Sequence, residues 1–214
     1  MSGRGELFDH DAADRPALPV VRLAEAEDVP ELASMLSRAF TDDPVASYIF
    51  PGRDRADQLR RFFELQIDHN YLHRGEVYLV DDGRAAAMWM PPSPRGVRPL
   101  DLLAHARLLG LLSTRFFATR RLSLMLAARH PRGDHYYLGT IGTDPLFQGQ
   151  GLGSALLTPV LARCDTRRLG AYLECSKLEN VAFYARHGFA VTDEVRPPGG
   201  GPTLWLMWRN PVAP

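Results

Sequence analysis

The sequence is short of several things, and each shortage excludes something. Two cysteines, Cys164 and Cys175, are too few for a disulfide framework or a cysteine-based zinc cluster, and they fit a reducing, cytoplasmic setting. Net charge is missing: 25 basic side chains balance 25 acidic ones, leaving no global field to attract nucleic acid. The first residues, MSGRGELFDHDAADRP, contain no apolar core of the kind a secretory leader needs. The most apolar stretch, Leu102–Ser113, is broken by His105 and Arg107 and is too short to span a bilayer, so no membrane partner is expected. Metal-binding grammar is absent as well. His69 and His73 stand four apart on one helical stretch, but no third ligand or HExxH pattern accompanies them, so helix-packing histidines and no metal are expected.

What is present is ordinary globular material. Of 214 residues, 45% are hydrophobic and 23% charged, enough for one domain with a sizeable core. Residues 1–18 read as a flexible polar tail and 19–212 as a single domain with a helical insert at about 91–133. Within the domain, LPVVRLA is β-rich, and Glu27–Phe40 follows with Leu32, Met35, Leu36 and Phe40 on one helical face. A turn-rich link leads to a second amphipathic helix over Arg55–Gly75, and EVYLVDDGRAAAMWM reads as a hairpin. The insert has no acidic residue from Leu102 to Gly133. Its pattern suits helices that cover the sheet and show arginines to water, or else a lid whose positive charge favours an anionic ligand. After it come a strand (HYYLGTIGTD), a helix to about Arg168, a strand (GAYLECS) and a short helix (ENVAFYARHG). Two strands joined by RPPGGGP close the chain. That order implies a mixed α/β (α+β) sheet, parallel around the first of these helices and antiparallel at the end.

The strongest local signal is FQGQGLGSALL, with Gly149, Gly151 and Gly153 at the mouth of a helix. Glycines there let backbone amides approach a ligand, and first-turn amides together with the helix dipole favour a phosphate or pyrophosphate. A P-loop is excluded because the stretch has no lysine. A dinucleotide fingerprint fits poorly: DPLFQ separates the glycines from the strand, and Ser154 stands where the third glycine belongs, although Glu174 lies near the expected distance.

The remaining match, Gln148-x-x-Gly151-x-Gly153, resembles the Q/R-x-x-G-x-G/A pattern of the GNAT acyltransferases. QGQGLG followed by ENVAFYARHGFAV is similar to the acetyl-CoA site of that superfamily. VRLAEAEDVPELASMLSRAFTDDP and LWLMWRNP resemble its puromycin N-acetyltransferase branch. The resemblance implies a GNAT acyl-CoA N-acyltransferase fold, a mixed central sheet of about seven strands flanked by helices. It also implies acetyl-CoA as acyl donor, with direct transfer to a small amine, an antibiotic or aminoacyl compound, in a ternary complex. The CoA pyrophosphate would rest on Gln150, Gly151, Leu152, Gly153 and Ser154, in a turn shaped by Gln148 and Gly149. The strand through Ile141, Gly142 and Thr143 would offer its backbone to the pantetheine arm, and the two parallel strands would splay at the thioester.

Transfer to an amine needs an acid and a base: an alkylammonium titrates near ~10.4 and the leaving thiol near ~8.5. Tyr184 lies one turn after Asn180, so both share a helix face; the resemblance puts Asn180 near the pantetheine and the Tyr184 hydroxyl near the sulfur. In AYLECS, alternation puts Tyr172 and Glu174 on one face and Leu173 and Cys175 on the other. Glu174 is the candidate base or, failing that, an acceptor-binding carboxylate; Cys175 reads as a small core residue. Tyr48, Phe50 and Trp89 are candidates to stack on the acceptor, with core packing an equal alternative for each. An acyl-CoA sensor without catalysis, or a protein lysine or N-terminal acetyltransferase, are the competing functions. A monomer and a homodimer both fit.

Overall fold

In the computed structural model, residues 19–80, 83–92, 115–197 and 199–212 are described; the expected tail at 1–18 and most of the insert, residues 93–114, lie outside them. Strand β1 (Val21–Leu23) leads through a 3-10 turn into helix α1 (Val29–Ala39), which begins with a proline in its first turn and buries Leu32, Ala33, Met35 and Leu36. Helix α2 (Pro44–Ile49) is set by Asp43, whose carboxylate accepts from the amides of Val45 and Ala46 at 2.8 and 2.9 Å.

Helix α3 (Arg55–Leu65) departs from expectation. It runs on as a wider π-helical turn, Gln66–Tyr71, before a last turn at Leu72–Arg74. A π turn adds a residue per bond and resets the buried face, here burying both Ile67 and Tyr71. Hairpin strands β2 (Glu76–Val80) and β3 (Ala85–Met90) follow, and helix α4 (Phe116–Arg129) lies in the described part of the insert. The remaining elements are β4 (His135–Thr143), α5 (Leu152–Arg167), β5 (Gly170–Cys175), α6 (Leu178–Arg186), β6 (Ala190–Val195) and β7 (Leu204–Arg209).

The seven strands form one sheet in the order β1-β2-β3-β4-β5-β7-β6, parallel at β4–β5 and antiparallel elsewhere. Helices α5 and α6 cover one face through a core that includes Trp89, Tyr136, Leu138, Leu156, Leu157, Val160, Leu173 and Tyr184. On the other face lie α1 and α3, and beyond them α4, whose Leu122 packs with Tyr172, Leu204 and Leu206.

Two irregularities shape the middle of the sheet. The β3–β4 register slips between Met88 and Trp89, which pair with Thr140 and Leu138, so Gly139 bulges out of the ladder. The β4–β5 register runs from His135↔Gly170 to Leu138↔Leu173 and stops there, although β4 continues to Thr143. The parallel strands part at that point.

Candidate active site

Where β4 and β5 part, a cleft of about 670 Å³ opens, within the range of ~300–1,000 Å³ usual for small-ligand sites. Its walls come from the end of β4 (Leu138–Thr143), the loop and first turn of α5, the end of β5 with Ser176 and Lys177, the inner side of α6, and Asp42 and Asp43 before α2.

The three glycines have two different tasks. Gly149 and Gly151 adopt φ of +77° and +81°, the left-handed region that disfavours a side chain, and neither has a neighbour that a Cβ would strike. Their role is conformational: they turn the chain so that Gly151 caps α5. Gly153 is needed for contact, since a Cβ there would sit 3.1 Å from the Phe183 ring and hold α6 away from α5. The first intrahelical bond of α5 is made by the Ala155 amide to the Gly151 carbonyl. The amides of Leu152, Gly153 and Ser154 therefore have no partner within the helix and face the cleft end. Ser154 Oγ meets His187 Nε2 at 2.9 Å. Upstream, buried Asp144 accepts from Arg38 Nε and Nη2 at 2.9 and 2.6 Å and from the Leu146 amide at 3.1 Å, fixing the start of the loop. Burial alone would raise the Asp144 carboxyl, but these donors hold it below its ordinary value.

Ile141, Gly142, Thr143, Gln148, Gly149, Gly151, Leu152, Gly153, Ser154, Asn180, Tyr184 and Glu174 all line this cleft. Gln150 is exposed beside it without lining it. Tyr184 and Glu174 reach the cleft from opposite faces of the sheet. Tyr184 belongs to the core beneath α5 and α6, where burial, with Cys175 and Asp43 adding, pushes its phenol up, so it keeps its proton at neutral pH. Cys175 lies on that side too; its thiol donates to the Lys177 carbonyl at 3.0 Å and is pushed up to about 11 by burial, which leaves it a poor nucleophile.

Glu174 stands on the other face among aromatic side chains. Tyr137 Oη donates to its Oε2 at 2.6 Å, and Tyr137 and Tyr172 stack at 5.9 Å. Burial first, and then the Glu174 charge, push up the phenols of Tyr71, Tyr137 and Tyr172. Tyr71 is brought in by the π turn, and a Cβ at Gly139 would lie 2.0 Å from its hydroxyl, so the bulged glycine is what admits it.

The suggested stacking residues are not brought to the cleft. Phe50 is buried against Phe62 in the core beneath α1 and α3, and Trp89, fully buried, meets Tyr136 edge-on in the core beneath α5. Tyr48 is half-buried and packs toward Leu122 and Leu204. Trp89, on a central strand, and Phe50, at the end of α2, are taken up by the cores on the two faces of the sheet. Among the residues not foreseen, Asp43 bonds Ser176, and Asp42 pairs with Lys177, the chain's single lysine, at 2.8 Å. The DDP before a short helix signals the cap at Asp43, but nothing local signals its partner 133 positions away.

The sequence model of the acetyltransferase (GNAT) family matches residues 39–189, more than two thirds of the 214-residue chain. The chain belongs to the GNAT acetyltransferase family. A relative from Schizosaccharomyces pombe, described as an uncharacterized N-acetyltransferase, is 28% identical over 184 residues, covering 80% of this acetyltransferase and 74% of the relative. A crystal structure from Corynebacterium glutamicum, described as histone acetyltransferase HPA2 and related acetyltransferase, superposes with a TM-score of 0.70 at 28% identity, covering 92% of this chain and 98% of that one. The Drosophila melanogaster polyamine N-acetyltransferase, which forms N-acetylagmatine, shares the fold at a TM-score of 0.57 and 15% identity, over 90% and 99% of the two chains.

Enzymes of this family use acetyl-CoA, and the residues present fit it. The first-turn amides of α5 suit its pyrophosphate, the edge of β4 beyond Leu138 has no ladder bonds to β5, and the cleft joins both to Tyr184. Among the described residues, no group of three or more His, Cys, Asp or Glu is placed to hold a metal ion, and no helix is long and apolar enough to cross a membrane.

Proposed function

We propose that this acetyltransferase moves the acetyl group of acetyl-CoA directly to the nitrogen of a small amine, with donor and acceptor bound together. One observation carries the reading: the gap beyond Leu138 and Leu173 is where a buried phenol from one face of the sheet and a carboxylate from the other line the same cleft. Acetyl-CoA supplies the activated thioester. Gln148 and Gly149 shape the turn, and the amides from Gln150 to Ser154 hold the pyrophosphate. The free edge of Ile141, Gly142 and Thr143, with Asn180 opposite, aligns the pantetheine arm. Glu174 takes a proton from the ammonium, and Tyr184 gives one to the departing sulfur.

A small acceptor is supported by the way the cleft is closed. The bonds Asp43–Ser176 and Asp42–Lys177 tie the segment before α2 to the end of β5, which narrows the cleft wall there and suits a compact acceptor better than an extended peptide. The polyamine acceptor of the Drosophila neighbour shows that this fold serves such molecules. Resemblance to the puromycin branch adds aminoacyl compounds and antibiotics to the candidates. A sensor that only binds acyl-CoA would have no use for the paired phenol and carboxylate.

The test is release of CoA thiol from acetyl-CoA against a panel of polyamines, arylalkylamines, puromycin and other aminoacyl compounds, beside lysine and N-terminal peptides. Turnover with a small amine and none with peptides is expected. Peptide acetylation alone would replace the small-amine reading. Tight CoA binding by calorimetry with no turnover on either set would favour a sensor.

A further inference from the structure

Glu174 lines the cleft but its side chain is only 9% exposed, so once donor and acceptor fill the cleft a proton it takes has no direct route to water. The segment Arg129-His-Pro-Arg-Gly-Asp-His135, which links α4 to β4, brings two imidazoles to this point. His130 holds an extended backbone (φ −59°, ψ 130°), as the following Pro131 demands, and Gly133 turns the chain at φ +93°. His135 Nδ1 lies 2.8 Å from the Gly133 carbonyl, which can only accept, so Nδ1 carries the hydrogen and Nε2 is left with its lone pair. His130 Nε2 is 3.1 Å from that lone pair and must donate to it. In the neutral His130 ring Nδ1 is therefore the bare nitrogen, and it faces Glu174 Oε1 at 3.9 Å, while the ring is 37% exposed. The tautomers of the whole chain follow from one backbone carbonyl. Burial lowers the titration of His135 against the opposing bond to the Gly133 carbonyl, which keeps it neutral as an acceptor.

From this geometry we propose that His130 relays the acceptor's proton from Glu174 to solvent, with His135 holding it in the tautomer that can receive. The proposal rests on the reading of Glu174 as the base. The acceptor enters as an ammonium and leaves as an amide, giving up two protons. One ends on the CoA thiol and one is released. The Glu174 carboxylate takes the released proton and passes it from Oε1 to His130 Nδ1, becoming a carboxylate again. The imidazolium then sheds that proton through its exposed edge. The 3.9 Å separation closes to bonding distance by a small side-chain rotation, as unliganded catalytic contacts commonly do. The groups that face the pair are Glu174 and Tyr172 on β5, His135 and Tyr137 on β4, Asp134 in the linking turn, and Arg129 with its partner Asp193 on β6.

Two measurements test the relay. Long-range 1H–15N spectra of the histidine-labelled enzyme need no acceptor: neutral His130 is expected with its hydrogen on Nε2, and a hydrogen on Nδ1 overturns the proposal. With the amine that turns over fastest in the panel above, His130→Ala should lower kcat roughly tenfold, less than the ~10²–10⁴ of a base itself, with KM for acetyl-CoA unchanged and kcat restored by added imidazole. His130→Gln, which fills the site but carries no proton, should be equally slow and respond less to imidazole. Wild-type turnover in His130→Gln, or loss in His130→Ala that imidazole does not restore, makes the residue structural. Normal His130 variants beside an inactive Glu174→Gln remove the relay and leave the base. An active Glu174→Gln with an unchanged pH profile removes the base, and the relay with it.

Discussion

The α5 side of the cleft is made from two short runs of chain, Gln148 to Ser154 and Asn180 to Tyr184. On the opposite side Glu174 alone reaches the cleft, and it is held from behind by distant pieces: Tyr137 from β4, His130 from the end of the insert, and Tyr71 from a π turn. The first side binds a ligand through helix geometry and backbone amides, which few side chains can alter. The second, in the mechanism proposed above, handles protons through side chains that hold one another in place. The difference teaches that the donor site is a local property of the chain and the proposed acceptor site a tertiary one.

The sharpest way to break this comparison is to remove one reacting group from each side. Glu174→Gln is expected to lower kcat by ~10²–10⁴-fold at neutral pH with KM for acetyl-CoA little changed. Tyr184→Phe should also reduce turnover more than it weakens CoA binding. Steady-state kinetics with calorimetry separates the two, and wild-type turnover in Tyr184→Phe would end its role as acid.

A second test asks whether the acceptor side depends on long-range fit. Gly139→Ala would drive a Cβ to 2.0 Å from the Tyr71 hydroxyl and should cost about 1–3 kcal/mol in chemical denaturation. Adding Tyr71→Phe removes the colliding oxygen, leaving ring carbon Cζ at 3.1 Å, so the double variant should recover part of that loss. Strict additivity would show that the two residues do not meet.

The smallest effect concerns how the donor side is anchored. Arg209 reaches Asp165 on α5 through two bonds, at 2.7 and 2.8 Å, and donates to the His187 carbonyl at the end of α6. The hydrogen bond from Arg209 holds the Asp165 carboxyl below its ordinary 3.8, so the native state binds this proton less readily than the unfolded chain. Its contribution is thus complete above the unfolded value and is lost as pH falls through the lower folded one. Asp165→Asn should therefore lower stability by roughly 1 kcal/mol at neutral pH, with the gap to wild type narrowing in acid. A gap independent of pH would mean that packing, and not charge, joins these elements.

How far the sequence could be read follows the same division. The glycine turn, the Asn180–Tyr184 spacing, the alternation that separates Glu174 from Cys175, and the parallel pair flanking α5 are periodic or local features, and the structure contains all of them. The glycines were legible as a group, but the split between Gly149 and Gly151, which turn the chain, and Gly153, which admits Phe183, depends on a helix about thirty residues on. Trp89 and Phe50 could equally have been ligand-facing or core from sequence, because an aromatic ring gives the same local signal in both places.

By itself, then, the chain's pattern determined the family, the order of strands and helices, and the anion-binding entrance of α5, because these rest on hydrophobic period and backbone conformation within short windows. Only the tertiary structure decided that β4 and β5 separate after Leu138, that a π turn brings Tyr71 to Gly139, and that His130 faces Glu174. Those contacts join residues far apart in sequence, and such contacts exist only once the sheet has set the register of one segment against another.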